Sequence, residues 1–143
     1  MANAGIGGGP RRGSVDGFEL NFADVMLEHG YDSMRAYCQS KLAQIALGLR
    51  LARTLRSSGV TVTSLHPASE MPTKMVGRRD GEPISLGVAT TMRLATDPDL
   101  EGVTGVFFDR YRPSRPHPWA MDLDVQDQLW EHSAHLVAAT GPR

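Results

Sequence analysis

The 143-residue chain lacks several features that would place it in a specialised class of protein. It has one cysteine, Cys38, which excludes an internal disulfide and a multi-cysteine zinc site and fits a reducing compartment. No apolar run approaches the roughly 18 residues of a membrane span, and the N-terminus lacks the charged-then-apolar order of a signal peptide. The composition therefore predicts a cytoplasmic protein without a membrane segment.

An excess of charge of either sign is also lacking, with 15 lysines and arginines against 16 aspartates and glutamates. Basic clusters occur at residues 11–12, 78–79 and 110–115, but aromatic side chains do not interleave with them as nucleic-acid binding would favour. His132 and His135 fall short of the three or four converging ligands of a zinc site. We therefore predict no nucleic-acid partner and no metal.

What the sequence does contain is an alternation of helical and strand patterns. Apolar spacing predicts a short helix over residues 14–27, a long helix from about residue 34 to 57, and helices over 85–96, capped by Ser85, and 124–139. β-Branched runs predict strands over 60–65 and about 103–108. This order is typical of parallel strands joined by helical crossovers, and it predicts an α/β fold in one domain over residues 1–143.

The long predicted helix begins with a pair of residues that could do chemistry. Tyr37 and Lys41 are four residues apart, so their side chains lie on one helix face. A nearby ammonium stabilises a phenolate and moves the pKa of a tyrosine from about 10 toward neutrality, which suits proton transfer. Such pairs also occur on ordinary solvated helix faces, so the spacing alone leaves both interpretations open.

The surroundings of this pair resemble the short-chain dehydrogenase/reductase family. Tyr37, Ser40 and Lys41 form a Tyr-x-x-Ser-Lys sequence on a helix that is followed by a strand and by His66-Pro67. Residues 3–6 (NAGI), 16–23 (DGFELNFA) and 102–109 (GVTGVFFD) agree in order with its retinol-dehydrogenase-like and protochlorophyllide-reductase-like branch. The resemblance spans nearly the whole chain. It implies the C-terminal half of a Rossmann-like, doubly wound parallel sheet.

The resemblance also implies an activity, which is hydride transfer between the nicotinamide of NADP or NAD and a small-molecule carbonyl or alcohol. Tyr37 would donate or accept the proton, and Lys41 would hold the nicotinamide ribose, with both near the carboxyl end of strand 60–65. Ala68 departs from the family, which usually has glycine after the proline. The cofactor-binding positions carried over from the family are Asn3, Lys41, Pro67, Met71 and Thr73.

Two parts of the family pattern have no counterpart in the sequence. One is the glycine-rich turn, Thr-Gly-x-x-x-Gly-x-Gly, whose backbone amides hold the cofactor phosphates. The other is the segment with a central strand and the active-site serine, since residues 15–32 contain no serine or threonine. The resemblance therefore predicts a truncated, internally deleted and inactive chain that binds dinucleotide weakly. The alternative is a non-catalytic remnant or an interaction module that docks on an intact relative or self-associates through helix 34–57.

Overall fold

The computed structural model describes residues 20–74 and 80–139. The chain divides into two compact units, one with the residues up to Leu47 and from His117 onward, and the other with Gly48–Pro116. Helix α1, Ser33–Thr54, contributes residues to both units. No described helix is both long and apolar enough to cross a membrane.

The first unit is helical. Beside the N-terminal part of α1 it contains the short helix α3, Pro118–Met121, and the closing helix α4, Leu123–Ala139. The rings of Phe22 and Trp119 stack with their centroids 6.3 Å apart. The predicted helix over 124–139 is confirmed, with its start one residue earlier. The core of this unit consists of buried Leu20, Ala46, Ala120 and Leu129, with Phe22, Val25, Leu42, Ala43, Ile45, Leu47 and Trp119 packed around them.

The predicted short helix over 14–27 is wrong for its described part, residues 20–27, which form turns. The side chain of Asn21 accepts the backbone N–H of Ala23 at 3.0 Å, and that of Asp24 accepts the N–H of Glu28 at 2.8 Å. Such local hydrogen bonds compete with the backbone hydrogen bonds of an α-helix. Leu27 also has a φ of 53°, outside the right-handed helical region. The remainder of this predicted helix lies outside the described residues.

The second unit contains a three-stranded sheet of β1, Thr63–His66, β2, Val106–Asp109, and β3, Arg112–Ser114, in that spatial order. Strands β1 and β2 are parallel, with Thr63 opposite Val106 and His66 opposite Asp109. Helix α2, Ile84–Thr96, and a 3₁₀ turn at Pro98–Leu100 lie between them in the chain. The predicted α/β fold and the pairing of these two strands are thus confirmed, with each strand beginning about three residues later than expected.

Strand β3 lies outside the predicted strands, because the sequence shows only a basic cluster at residues 110–115. It pairs antiparallel with β2 through a tight turn in which Arg110 has a φ of 53°. All three residues of β3 are exposed. Charge and proline on an outer strand disfavour pairing with other chains, so Arg112 and Pro113 suit this edge position.

Small residues allow the C-terminal part of α1 to pack closely within the second unit. A Cβ added at Gly48 would lie 2.8 Å from Oγ of Ser64 on β1, and one added at Gly105 would lie 3.5 Å from Cβ of Ala52. The start of α2 differs from expectation. Its N-cap is Pro83, which makes no side-chain capping bond, so the predicted cap Ser85 lies inside the helix.

Phe108 supplies the first prediction. It is fully buried on the central strand, whereas its neighbour Phe107 is half-buried on the opposite face. We expect Phe108→Ala to lower the free energy of unfolding by about 3–5 kcal/mol through lost apolar contact and the cavity left behind. Phe107→Ala should cost clearly less, as measured by urea unfolding. Equal losses in the two variants would contradict the assigned faces of β2.

Candidate functional site

Tyr37 and Lys41 lie on one face of the N-terminal part of α1. The ammonium nitrogen Nζ of Lys41 is 5.9 Å from the centroid of the Tyr37 ring, within cation–π range. The same nitrogen donates to Oε1 of Gln44 at 3.3 Å. Tyr37 is 41% exposed, so its side chain is accessible to a molecule in solution. The two side chains therefore form the juxtaposition that their spacing predicts.

The start of α1 is fixed by an interaction that the sequence reading missed. The carboxylate of Asp32 accepts the backbone N–H of Arg35 at 2.7 Å, as an N-cap residue does. Within the helix, the hydroxyl of Ser40 donates a hydrogen bond to the backbone carbonyl of Tyr37 at 2.7 Å. Burial, followed by the charge of Asp32, raises the pKa of the Cys38 thiol, which fits a packing role for this residue.

The loop after β1 carries three more of the predicted cofactor residues, Pro67, Met71 and Thr73. The carbonyl of Pro67 accepts the hydroxyl of Thr90 on α2 at 3.2 Å. The sulfur of Met71 packs so closely on Gly87 of α2 that a Cβ there would overlap it. The backbone N–H of Thr73 donates to the carbonyl of Met71 at 2.7 Å. The loop is thus fastened to α2 at two points, Pro67 and Met71.

Three residues from separate segments fasten the middle of the same loop, and we call Ser69, Glu82 and Arg110 the loop clamp. Ser69 and Glu82 are joined twice, since the Ser69 N–H donates to Oε2 of Glu82 at 2.5 Å and the Glu82 N–H donates to the Ser69 carbonyl at 3.0 Å. Arg110 then donates to both carboxylate oxygens of Glu82, with 2.7 Å from Nε to Oε1. It reaches the hydroxyl of Ser69 at 3.3 Å as well.

The charges of the clamp reinforce one another. Hydrogen bonds from the Arg110 side chain and then from the Ser69 backbone lower the pKa of Glu82 from its ordinary 4.5 to about 2. The same hydrogen bonds, which Arg110 donates to Glu82, raise the pKa of Arg110, and Asp109 adds to this by accepting from Nη1 at 2.5 Å. The pair therefore stays ionised throughout the neutral range.

The predicted site residues are distributed over both compact units. Tyr37 and Lys41 belong to the first, whereas Pro67, Met71 and Thr73 belong to the second. The expectation that Tyr37 and Lys41 lie at the carboxyl end of β1 stays a prediction, and Asn3 lies outside the described residues. Over 20–74 and 80–139, no group of three or more His, Cys, Asp or Glu side chains is arranged to hold a metal ion.

Comparison with known proteins identifies the family. The chain is 36% identical over 126 residues to retinol dehydrogenase 13 of Mus musculus, covering 75% of this chain and 37% of that protein. It is 34% identical over 149 residues to retinol dehydrogenase 13 of Homo sapiens, covering 91% and 43%. It is 35% identical over 123 residues to the chloroplastic short-chain dehydrogenase TIC 32 B of Brassica napus, covering 75% and 38%.

These relatives show that the chain belongs to the short-chain dehydrogenase/reductase family, and the resemblance in its motifs is confirmed. The chain spans about two-fifths of the length of these curated relatives. No protein-family profile matches it, and no solved structure matches it.

Two glycines beside the loop supply the second prediction. A Cβ at Gly81 would overlap the backbone carbonyl of Glu70, whereas one at Gly87 would overlap only the flexible side chain of Met71. We therefore expect Gly81→Ala to destabilise the protein by about 1–3 kcal/mol, the usual range for overpacking. Gly87→Ala should cost less, because Met71 can move and alanine favours the helix. Thermal unfolding of both variants tests this, and a Gly81→Ala variant as stable as the wild type would contradict the described path of the loop.

Proposed function

We propose that the chain carries the proton-transfer pair and part of the cofactor site of an NAD(P)-dependent oxidoreductase. The observation that carries this proposal is the placement of the Lys41 ammonium 5.9 Å from the centroid of the Tyr37 ring, on an exposed helix face. Membership of an oxidoreductase family supports it. A solvated helix face would give the same spacing, but it would not be accompanied by the family's other motifs.

The chemistry requires a proton donor beside the reacting oxygen. A bound nicotinamide supplies or accepts the hydride. For reduction, the hydroxyl of Tyr37 gives its proton to the carbonyl oxygen of the substrate as that oxygen becomes an alcohol. The positive charge of Lys41 stabilises the phenolate that remains, and oxidation of an alcohol runs these steps in reverse.

The loop after β1 fits a role in cofactor binding. Open α/β sheets bind ligands outside the carboxyl ends of their parallel strands, and this loop leaves the carboxyl end of β1. We propose that Pro67, Met71 and Thr73 contact the nicotinamide of NAD or NADP there. The names of two relatives point to retinol as a substrate of those proteins, so retinol and retinal are the first compounds to test for this chain.

The third prediction concerns binding and turnover. Because the sequence contains no counterpart of the glycine-rich phosphate turn, we expect a dissociation constant for NADPH or NADH weaker than the low micromolar range, which corresponds to about -8 kcal/mol. Lys41→Ala should weaken binding a further tenfold or so through loss of one charged contact. Tyr37→Phe should reduce any turnover of retinal by about 100-fold or more.

Dinucleotide binding is measured by calorimetric titration at millimolar dinucleotide, and turnover is measured by a coupled assay. The control variant is Tyr31→Phe. Tyr31 is an exposed tyrosine on the chain segment just before α1. Its substitution therefore removes a phenolic hydroxyl that is not part of the Tyr37–Lys41 pair. A wild type that binds neither dinucleotide, or a Lys41→Ala variant that binds like the wild type, would refute the proposed cofactor role. A low micromolar constant would refute the expected weakness.

One observation favours the alternative role as an interaction module. Ile84, Val88 and Met92 recur every four residues along α2 and are 45%, 56% and 51% exposed. Among the large apolar side chains of α1, only Tyr37 is exposed. If the chain self-associates, we therefore propose that a second copy covers this face of α2 in preference to the face of helix 34–57.

The fourth prediction tests that alternative. A charge placed within the face would have to be buried in a dimer, so Val88→Glu should shift the chain toward monomer in analytical ultracentrifugation. Val60→Glu is the control, because Val60 is 51% exposed and lies outside α2. A wild type that remains monomeric at high micromolar concentration would contradict self-association. Equal effects of the two variants would contradict the assignment to α2.

A further inference from the structure

The loop clamp joins three segments that are far apart in the sequence. Ser69 follows β1, Glu82 precedes α2, and Arg110 lies in the turn between β2 and β3. The backbone of Ser69 is paired in both directions, through its N–H to the Glu82 carboxylate and through its carbonyl to the Glu82 N–H. A backbone position fixed from two sides has little freedom to move.

Further observations indicate that the path of this loop is imposed by its partners. Glu70 has a φ of 49°, a left-handed conformation that a glutamate adopts at a cost. Its carbonyl lies directly against Gly81, where any side chain would overlap it. His66 Nε2 is 3.2 Å from the hydroxyl of Ser69, which ties the loop back to the end of β1. The strained residue thus lies between contacts that hold it in place.

We propose that Glu82 is a positioning residue that fixes the loop of residues 67–73 through Ser69, with Arg110 orienting its carboxylate. This inference deepens the proposed function, because the same loop is the part of the chain assigned to the nicotinamide. Glu82 would then act on dinucleotide binding through the loop, without touching the dinucleotide itself.

This role differs from that of an ordinary surface ion pair, which adds little stability. The Glu82 carboxylate accepts from a backbone amide as well as from Arg110, so its removal leaves the Ser69 N–H without that acceptor. Arg110 would keep its bond to Asp109 and its position in the turn. The expected consequence is therefore local loosening of the loop with the sheet intact.

The fifth prediction is measured by hydrogen exchange of single backbone amides. In Glu82→Ala we expect the amides of Ser69 and Thr73 to exchange about three- to tenfold faster, because local opening becomes easier. The amide of Phe108 in β2 should keep its wild-type rate. Glu101→Ala removes a glutamate of the same charge from an exposed position outside the clamp and should change neither loop amide.

Glu82→Gln is the conservative variant and also serves if the alanine variant fails to fold. Its amide oxygen can accept the Ser69 N–H but cannot pair with Arg110 as a charge, so we expect intermediate protection of the Ser69 amide. A Glu82→Gln variant whose loop amides exchange at the wild-type rate would overturn the role of the charged clamp.

The pH dependence of Ser69 amide exchange shows whether Glu82 acts through its charge or through packing alone. Because the pKa of Glu82 falls from its ordinary 4.5 to about 2 in the folded protein, its contribution is complete above about pH 4.5 and is lost as the pH falls toward 2. The difference in Ser69 exchange between wild type and Glu82→Gln should shrink over that interval. The groups that face Glu82 are Arg110, with Asp109 behind it, and His66 through Ser69. A difference that stays constant over this interval would refute the charged mechanism.

Dinucleotide titration completes the experiment. Weaker NADPH binding in Glu82→Ala, with unchanged binding in Glu101→Ala, supports the proposal. A loosened loop with unchanged affinity overturns the link to the cofactor. If the wild type binds no dinucleotide, the proposed function is refuted, while the exchange rates measured without ligand still decide whether Glu82 fixes the loop.

Discussion

The parallel pairing of β1 and β2 is the constraint on which the rest of the second unit depends. It places the carboxyl ends of both strands at one edge of the sheet, with His66 opposite Asp109. The chain leaves β1 there as the loop of residues 67–73 and leaves β2 there as the turn that carries Arg110. The backbone N–H of Arg110 donates to the carbonyl of His66 at 2.8 Å, so the ladder continues one step into this turn. Without that register, Arg110 would not reach the loop.

The elements predicted correctly from the sequence are those whose residues repeat with a clear period. The apolar stripe of α1 and the β-branched runs before His66 and Asp109 are local signals that tertiary packing preserved. Strand β3 gave no such signal, because its residues are all exposed and its pairing depends on a turn with a positive φ. Residues 20–27 have apolar residues at helical spacing although they form turns. Nearby backbone N–H groups donate to the side chains of Asn21 and Asp24, and these bonds compete with the hydrogen bonds of a helix.

The same distinction separates the two parts of the candidate site. The juxtaposition of Tyr37 and Lys41 follows from four residues of helix, so the sequence alone predicts it. Ser69 and Glu82 are 13 positions apart, and Glu82 and Arg110 are 28 apart. No local pattern links them, because only the strand register and the path of α2 bring them together. The helical spacing therefore predicts the Tyr37–Lys41 pair, whereas only the fold shows which residues fasten the loop after β1.

The charges at the sheet edge limit what this part of the protein can bind. Glu82 and Asp109 together carry two negative charges against the one positive charge of Arg110, and that guanidinium is engaged by both carboxylates. At this point a cofactor phosphate would meet two carboxylates and a guanidinium that both of them already engage. Under the proposed function, the clamp would favour a dinucleotide by shaping the loop for its uncharged nicotinamide carboxamide. Affinity for the phosphates would then come from residues outside the clamp.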